Sequence, residues 1–528
     1  MTASPRLVLA APHPAALVAA RQAAERGGNA VDAALAAAAA LTVVYPHQCS
    51  VGGDLIALVH SPGGAVHAVL SAGAAAQDVD IAALRAAGPR MPAQGPHTVT
   101  VPGVVAGWTA LATAHGTPGA LAAALRDAAA LAEDGATVSA GLAQAVRERA
   151  AQIAADPGLT ALLTGPHGEP LGNGDPLPQP RLAAVLRALA DDPSSFYRGA
   201  VAEALADGLR RAGSPLTAAD LAAHRAETVE ALTLDLAGTR WWTAPPPSQG
   251  ASLLAVLESA VTAAKLPAPD RTADLVARCQ DAAAARDRLL GDPHSTRVDL
   301  DGLLRPAPLA GSQPPRPPSR PAGDTVAVTA VDSSGLAVSL IQSVYQTFGS
   351  GICDPDTGIV LHNRGSAFSL QPGHPGLVGP GRRPPHTLCP VLGRSAGLLL
   401  AAGCQGGRAQ PQILAQTVPD LMDPTADPAA VLGRPRWVVG SRDIGQDQQT
   451  LLAEPESVPA VSAAFRSPLP VVVTPGPNDL AGHAQAVRLS ADGRLEGASD
   501  PRADGGVCFG PPSASPIPAK RRTAEGPH

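Results

Sequence analysis

The chain has 528 residues, too many for one simple core. Its formal net charge is −6, with the 16% of charged residues mixed along the sequence, so neither a basic stripe for nucleic acid nor a long acidic run is present. Only 2% of residues are aromatic against 45% hydrophobic, which requires an interior of closely packed Ala, Val and Leu.

Met1 to Arg6 leads into Leu7-Val8-Leu9-Ala10-Ala11, which Pro12 breaks too soon for a secretory signal, so a cytoplasmic location is expected. Pro14 to Arg26 reads as a helix closed by Gly27-Gly28, and Asn29 is placed to cap the next one. That helix, Ala30 to Val44, is apolar apart from Asp32 and should lie in the core. It stops at Tyr45-Pro46 before reaching membrane-spanning length, so no membrane partner is expected. The apolar runs Leu55 to His60 and Val66 to Leu70 flank Ser61-Pro62-Gly63-Gly64 and predict a β-hairpin.

Ala/Leu spacing predicts helix from Ala120 to Arg149, from Arg181 to Leu209, from Leu253 to Ala264 and from Asp270 to Leu290. The Pro-rich run from Arg305 to Gly323 can hold neither a ladder nor a helix, and marks the best boundary in the chain. Two segments follow from it: a helix-rich part, 1–324, and a part 325–528 of different texture. The second part opens with Thr325 to Asp332 and Leu336 to Tyr345, two β-rich runs joined by Ser333-Ser334-Gly335. Beyond about residue 512 the tail reads as disordered, its Lys520-Arg521-Arg522 a solvated end.

The six cysteines are scattered without CxxC pairs or a neighbouring His cluster, so buried free thiols and no metal are expected. No GxxxxGK[ST] or strand-linked GxGxxG occurs, which leaves nucleotide binding and cofactors without support.

A threonine opening a strand is by itself an ordinary β-former. Behind Gly323-Asp324 it has a second use: attack of its hydroxyl on the preceding carbonyl turns the peptide into an ester that water can cleave. The freed α-amine, with an ordinary pKa of about 7.7 to 8.0, can then act as general base without a histidine. An oxyanion would need donors, and Gly406-Gly407 is either a plain turn or a pair of closely approaching amides. His386 is equally suited to a substrate contact or a structural hydrogen bond.

Several strings occur in a fixed order: Gly27-Gly28-Asn29-Ala30-Val31-Asp32, Gly52-Gly53-Asp54, Val101-Pro102-Gly103-Val104-Val105-Ala106-Gly107, Thr325, Phe348-Gly349-Ser350-Gly351, Pro380-Gly381-Arg382-Arg383-Pro384, Gly406-Gly407 and Gly497-Ala498-Ser499-Asp500-Pro501-Arg502. Through them nearly the whole chain resembles the γ-glutamyltransferase family of N-terminal-nucleophile hydrolases. The resemblance implies an α+β fold, a four-layer αββα sandwich, cut from one precursor into two associated fragments. It places Thr325 at the nucleophile, Ser343 at a supporting hydroxyl, and Gly406 and Gly407 at the oxyanion hole.

Tyr345 and Ala367 stand where the family has the Asn and Asp that hold a γ-glutamyl amino group, and His386-Thr387 replaces its paired serines. The family's Arg near Ser71-Ala72-Gly73 is absent, and Arg364 is a candidate replacement charge. The stretches around Ser343, Arg364 and His386 look more like the oxamate amidohydrolase and acylase-like branch. The resemblance therefore implies a self-cleaving hydrolase of a small amide, with Arg364, His386, Thr387 and Tyr345 around the substrate. Two other readings are a glutathione-directed γ-glutamyl enzyme and an unprocessed, inactive scaffold.

Overall fold

A computed structural model describes residues 6–266, 268–308, 323–441, 446–458, 461 and 469–511. Most of the expected Pro-rich linker and the expected disordered tail lie outside the described residues. Two antiparallel sheets carry the architecture. Their strands are β1 (Leu7–Ala11), β2 (Asp54–His60), β3 (Val66–Ser71), β4 (Glu227–Glu230), β5 (Leu232–Leu236), β6 (Thr239–Thr243), β7 (Gly323–Asp332), β8 (Ala337–Gln346), β9 (Val391–Arg394), β10 (Leu398–Cys404), β11 (Ala484–Ser490), β12 (Leu495–Ser499) and β13 (Gly506–Phe509). The first sheet runs β13-β1-β7-β8-β2-β3-β4 and the second β12-β11-β10-β9-β6-β5.

Period-two alternation assigns each strand residue to a layer. On β7, Val326, Val328 and Ala330 join the helical core, while Ala327 and Val331 face the second sheet in a cluster with Leu392, Leu399 and Ala401. Thr325 shares the inter-sheet parity of Ala327. Outside the first sheet lie α1 (Pro14–Glu25), α2 (Ala30–Val44), α3 (Val104–His115), α4 (Ala120–Asp134) and α5 (Pro180–Asp191). Outside the second lie α6 (Gly250–Thr262) and α8 (Gln410–Leu421), with α7 (Ala268–Leu289) packed on α6. The result is the expected αββα sandwich.

All fifteen residues of α2 are buried, and alanine makes that close approach possible. Its single charge, Asp32, closes a capping box with Asn29 and also accepts from the Thr117 hydroxyl at 2.8 Å, tying α2 to the end of α3. Gln342 on β8 donates to the Ala38 carbonyl of α2 at 2.8 Å and accepts from the Trp108 indole of α3 at 3.1 Å. Buried polar groups are retained where every partner is supplied, and this one fixes β8 one residue before Ser343.

Two helix expectations change. Helix 120–149 is interrupted at Gly135, whose φ of 84° belongs to the left-handed region, and resumes as Ala140–Glu148. Helix 181–209 breaks after Asp191, where Pro193 opens a 3₁₀ turn, and restarts at Ala200. The segment before Thr325 carries most of the helices and also supplies β1 to β6, so both sheets mix strands from the two sides of Thr325. All six cysteines are unpaired and buried.

Candidate active site

The geometry around Thr325 starts from a register fault. Along β7 and β8 the pairs run Ile341 with Ala327 and Gln342 with Val326, then jump to Tyr345 with Asp324. Ser343 and Val344 therefore stand together opposite Thr325. Such a bulge bends its strand and re-aims a side chain. Here the Ser343 hydroxyl turns onto the preceding peptide: it accepts from Thr325 Oγ1 at 3.0 Å and from the Tyr345 amide at 2.8 Å, and donates to the Asp324 carbonyl at 2.5 Å. Gly53 makes the approach possible, since a Cβ there would lie 2.4 Å from the Ser343 carbonyl oxygen.

Tyr345 completes the bulge at φ 78°, a conformation costing a non-glycine residue about 1–3 kcal/mol. Its ring lies under the Arg364 guanidinium, 3.4 Å from ring centroid to Cζ, a contact worth about 2 kcal/mol when desolvated. Arg364, on a 3₁₀ turn, is 1% exposed and donates from Nη1 to the Thr387 hydroxyl at 3.1 Å. Its Nε and Nη2 have no hydrogen-bond partner among the described residues. Burial lowers its pKa, against the pull of Tyr345 and Asp54. A buried guanidinium with open donors is a place for an anion.

Thr387 also links to the glycine pair. Gln249 donates from Nε2 to the Thr387 carbonyl at 2.7 Å and to the Gly407 carbonyl at 2.9 Å. Gly406 and Gly407 have φ of 141° and 52° on the turn between β10 and α8, and β7 packs against that turn. Their amides donate to no acceptor among the described residues. Thr325, Ser343, Tyr345, Arg364, Thr387, Gly406 and Gly407 thus form one connected cluster.

His386 is turned onto Asp54, the cross-strand partner of Ser343 on β2. The Leu388 amide donates to Nδ1 at 3.3 Å, so Nε2 carries the proton that goes to Asp54 Oδ2 at 3.2 Å. Burial holds the His386 pKa down to about 4, which leaves the ring neutral at neutral pH. Burial alone would raise the Asp54 carboxyl, but His362 and His386 override it and hold Asp54 below the usual carboxylate range. His362 is fixed by donation from Nε2 to the Thr100 carbonyl at 2.8 Å, with Nδ1 3.3 Å from Asp54 Oδ2. Among the described residues no cluster of His, Cys, Asp and Glu is arranged to hold a metal ion.

Asp324 itself carries a buried carboxyl whose Oδ2 has no partner. Burial pushes its pKa up to about 7, opposed by a hydrogen bond from Thr347 and by Arg149. Sequence reasoning named neither Asp324 nor Asp54, His362 and Gln249 as site residues. Asp54 and Asp324 had a signal, their places after Gly52-Gly53 and directly before Thr325.

The family model for gamma-glutamyltranspeptidase matches residues 16–509. The chain is 40% identical to the oxamate amidohydrolase proenzyme of Klebsiella pneumoniae subsp. pneumoniae, over 94% of this chain and 97% of that protein. It is 33% identical to the glutathione hydrolase-like YwrD proenzyme of Bacillus subtilis, with the same coverage of each. Among solved structures, the cephalosporin acylase from Bacillus halodurans superposes with a TM-score of 0.84 at 30% identity, covering 96% of both chains.

Proposed function

Because this chain belongs to the gamma-glutamyltranspeptidase family and is a self-processing hydrolase of small amides within it, we propose that Thr325 performs both the self-cleavage and the hydrolysis. The observation that carries this is the hydroxyl chain from Thr325 through Ser343 to the Asp324 carbonyl oxygen. Attack of Thr325 Oγ1 on the Asp324 carbonyl carbon forms a C–O bond. Its proton passes to Ser343 Oγ while Ser343 gives its own to the carbonyl oxygen. Collapse breaks the C–N bond, the nitrogen takes up the proton, and water hydrolyses the ester. One fragment then ends at Asp324 and the other begins with the free amine of Thr325, and the two stay associated.

In the second reaction that amine takes the Thr325 hydroxyl proton as the oxygen attacks a substrate amide, and returns it to the leaving nitrogen. The Gly406 and Gly407 amides receive the oxyanion, a role in which one lost donor costs about 100-fold to 1000-fold in turnover. The open donors of Arg364, with the Thr387 hydroxyl, suit a carboxylate beside the amide carbonyl, as oxamate carries. Tyr345 holds the guanidinium in place. With both ring nitrogens engaged, His386 positions Thr387 rather than gripping substrate. The six unpaired, buried cysteines support a reducing, cytoplasmic setting.

The test is a denaturing gel with intact masses, in which the wild-type chain gives pieces of 324 and 204 residues and Thr325→Ala stays whole. A wild-type chain that never splits overturns the reading. The glutathione hydrolase-like relative keeps a γ-glutamyl substrate as the second reading, and faster release of glutamate from glutathione than of ammonia from oxamate would favour it.

A further inference from the structure

Both ring nitrogens of His362 face oxygen atoms that can only accept. Nε2 is 2.8 Å from the Thr100 carbonyl oxygen, so it carries a proton. Nδ1 lies 3.3 Å from Asp54 Oδ2, off the line of an aligned hydrogen bond. That carboxylate already accepts from His386 Nε2 at 3.2 Å and, through Oδ1, from the Gly73 amide at 3.2 Å, as an ionised group does. His362 and Asp54 are 0% and 1% exposed, so a bare Nδ1 would set its lone pair against a buried anion out of reach of solvent. A proton on Nδ1 turns that clash into a buried ion pair. His386 differs, because its Nδ1 accepts from the Leu388 amide and needs no second proton. The backbone holds the His362 ring where it is: the His362 amide donates to the Gly52 carbonyl at 3.1 Å, two residues before Asp54. A Cβ on Gly52 would block this approach, lying 2.3 Å from the Val360 carbonyl oxygen.

We propose that His362 is a buried imidazolium whose pairing with Asp54 leaves the Arg364 guanidinium unbalanced for an anionic substrate. The inference rests on the reading above, in which Arg364 meets a carboxylate beside the amide, and deepens it by naming what keeps that charge free. Asp54 is close enough to Arg364 to pull on its ionisation. Beside a neutral His362 those two charges would cancel, and a bound carboxylate would bring uncompensated negative charge into a buried site. With His362 charged, two cations share Asp54, and the substrate carboxylate completes the balance. Arg408, which also acts on Arg364, is paired with Asp287. His362 is thus a positioning residue: it acts through Asp54, and the chain leads from it to Arg364 two residues on.

Oxamate and oxamide test it, because they share a shape and differ by one charge. The self-cleaved wild type should prefer oxamate in kcat/KM, and no preference overturns the Arg364 reading and this proposal with it. In His362→Gln the oxamate-to-oxamide ratio should fall about tenfold, and in Asp54→Asn/His362→Gln, which removes both charges, it should return to within about threefold of wild type. Normal self-cleavage reports the fold of each variant. A merely structural role would weaken both substrates together, and a ratio unchanged in His362→Gln, or unrestored in the double variant, overturns the proposal. Nitrogen NMR of the Thr325→Ala chain with isotope-labelled histidine, at neutral pH, reads the charge without catalysis. The ring signals that a further His362→Gln removes should be those of an imidazolium with both nitrogens protonated. Such a ring supports the proposal even if oxamate is not a substrate, and a neutral ring sinks it even if oxamate is hydrolysed.

Discussion

Asp324 shows how a single side chain beside the proposed scissile bond biases the stability of the uncut chain. An ordinary Asp ionises near 3.8, whereas burial raises this one to about 7. Between those values the unfolded chain is ionised and the folded chain is not, so ionisation favours unfolding. The stability of the uncut chain therefore falls as pH rises from about 4 to about 7, and levels off above. In the Thr325→Ala background, Asp324→Asn should stabilise the chain at pH 8 by up to about 4 kcal/mol, and by much less at pH 5. Urea unfolding at both pH values measures the difference, and a gain independent of pH would refute the assignment. His386 works in the opposite sense. Its pKa falls to about 4, so the stability from its neutral, Asp54-bound form is present above its ordinary value of 6.5 and is lost as pH falls toward 4.

At the scale of the element, the bulge in β8 does what a regular strand cannot. Regular pairing would seat one residue opposite Thr325, whereas two residues there allow Ser343 Oγ to reach both the nucleophile and the carbonyl it attacks. Removing that hydroxyl breaks the proton path and leaves the Tyr345 amide without its acceptor. Ser343→Ala should slow self-cleavage by about 100-fold, the order expected for loss of a positioned proton-transfer group, followed by the disappearance of intact chain on a denaturing gel. Cleavage at the wild-type rate would remove Ser343 from the relay. The alternation of β7 and β8 and their tight Gly335 turn are visible in sequence because period two is a local property. The bulge is not, because it is a mismatch between two strands, and only Tyr345 at positive φ records it.

For the molecule as a whole, the interleaving of strands governs what the proposed cut before Thr325 would do. In the first sheet β7, which carries Thr325, hydrogen-bonds to β1, and β8, from beyond the proposed cut, pairs with β2, from before it. In the second, β9 pairs with β6. The two pieces share both sheets and the inter-sheet core, where each buried Val, Ile or Leu is worth about 1.5–3 kcal/mol. They should co-elute as one particle in gel filtration and separate only under denaturing conditions. Separation without denaturant would contradict this topology.

The capped, alanine-rich core helix, the hairpin of β2 and β3 and the strand pair behind Thr325 are legible in the residues alone, as is the backbone freedom of Gly406-Gly407, though not its use. Each depends on short-range periodicity, capping or backbone freedom. What surrounds Thr325 is set by the packing of distant segments. That packing turns His386 onto Asp54, 332 residues away; it leaves Nε and Nη2 of Arg364 without partners beside the Tyr345 ring; and it ties Thr387 to Gly407 through Gln249. Those pairings join residues whose spacing along the chain carries no period, and they exist only once the two sheets have packed.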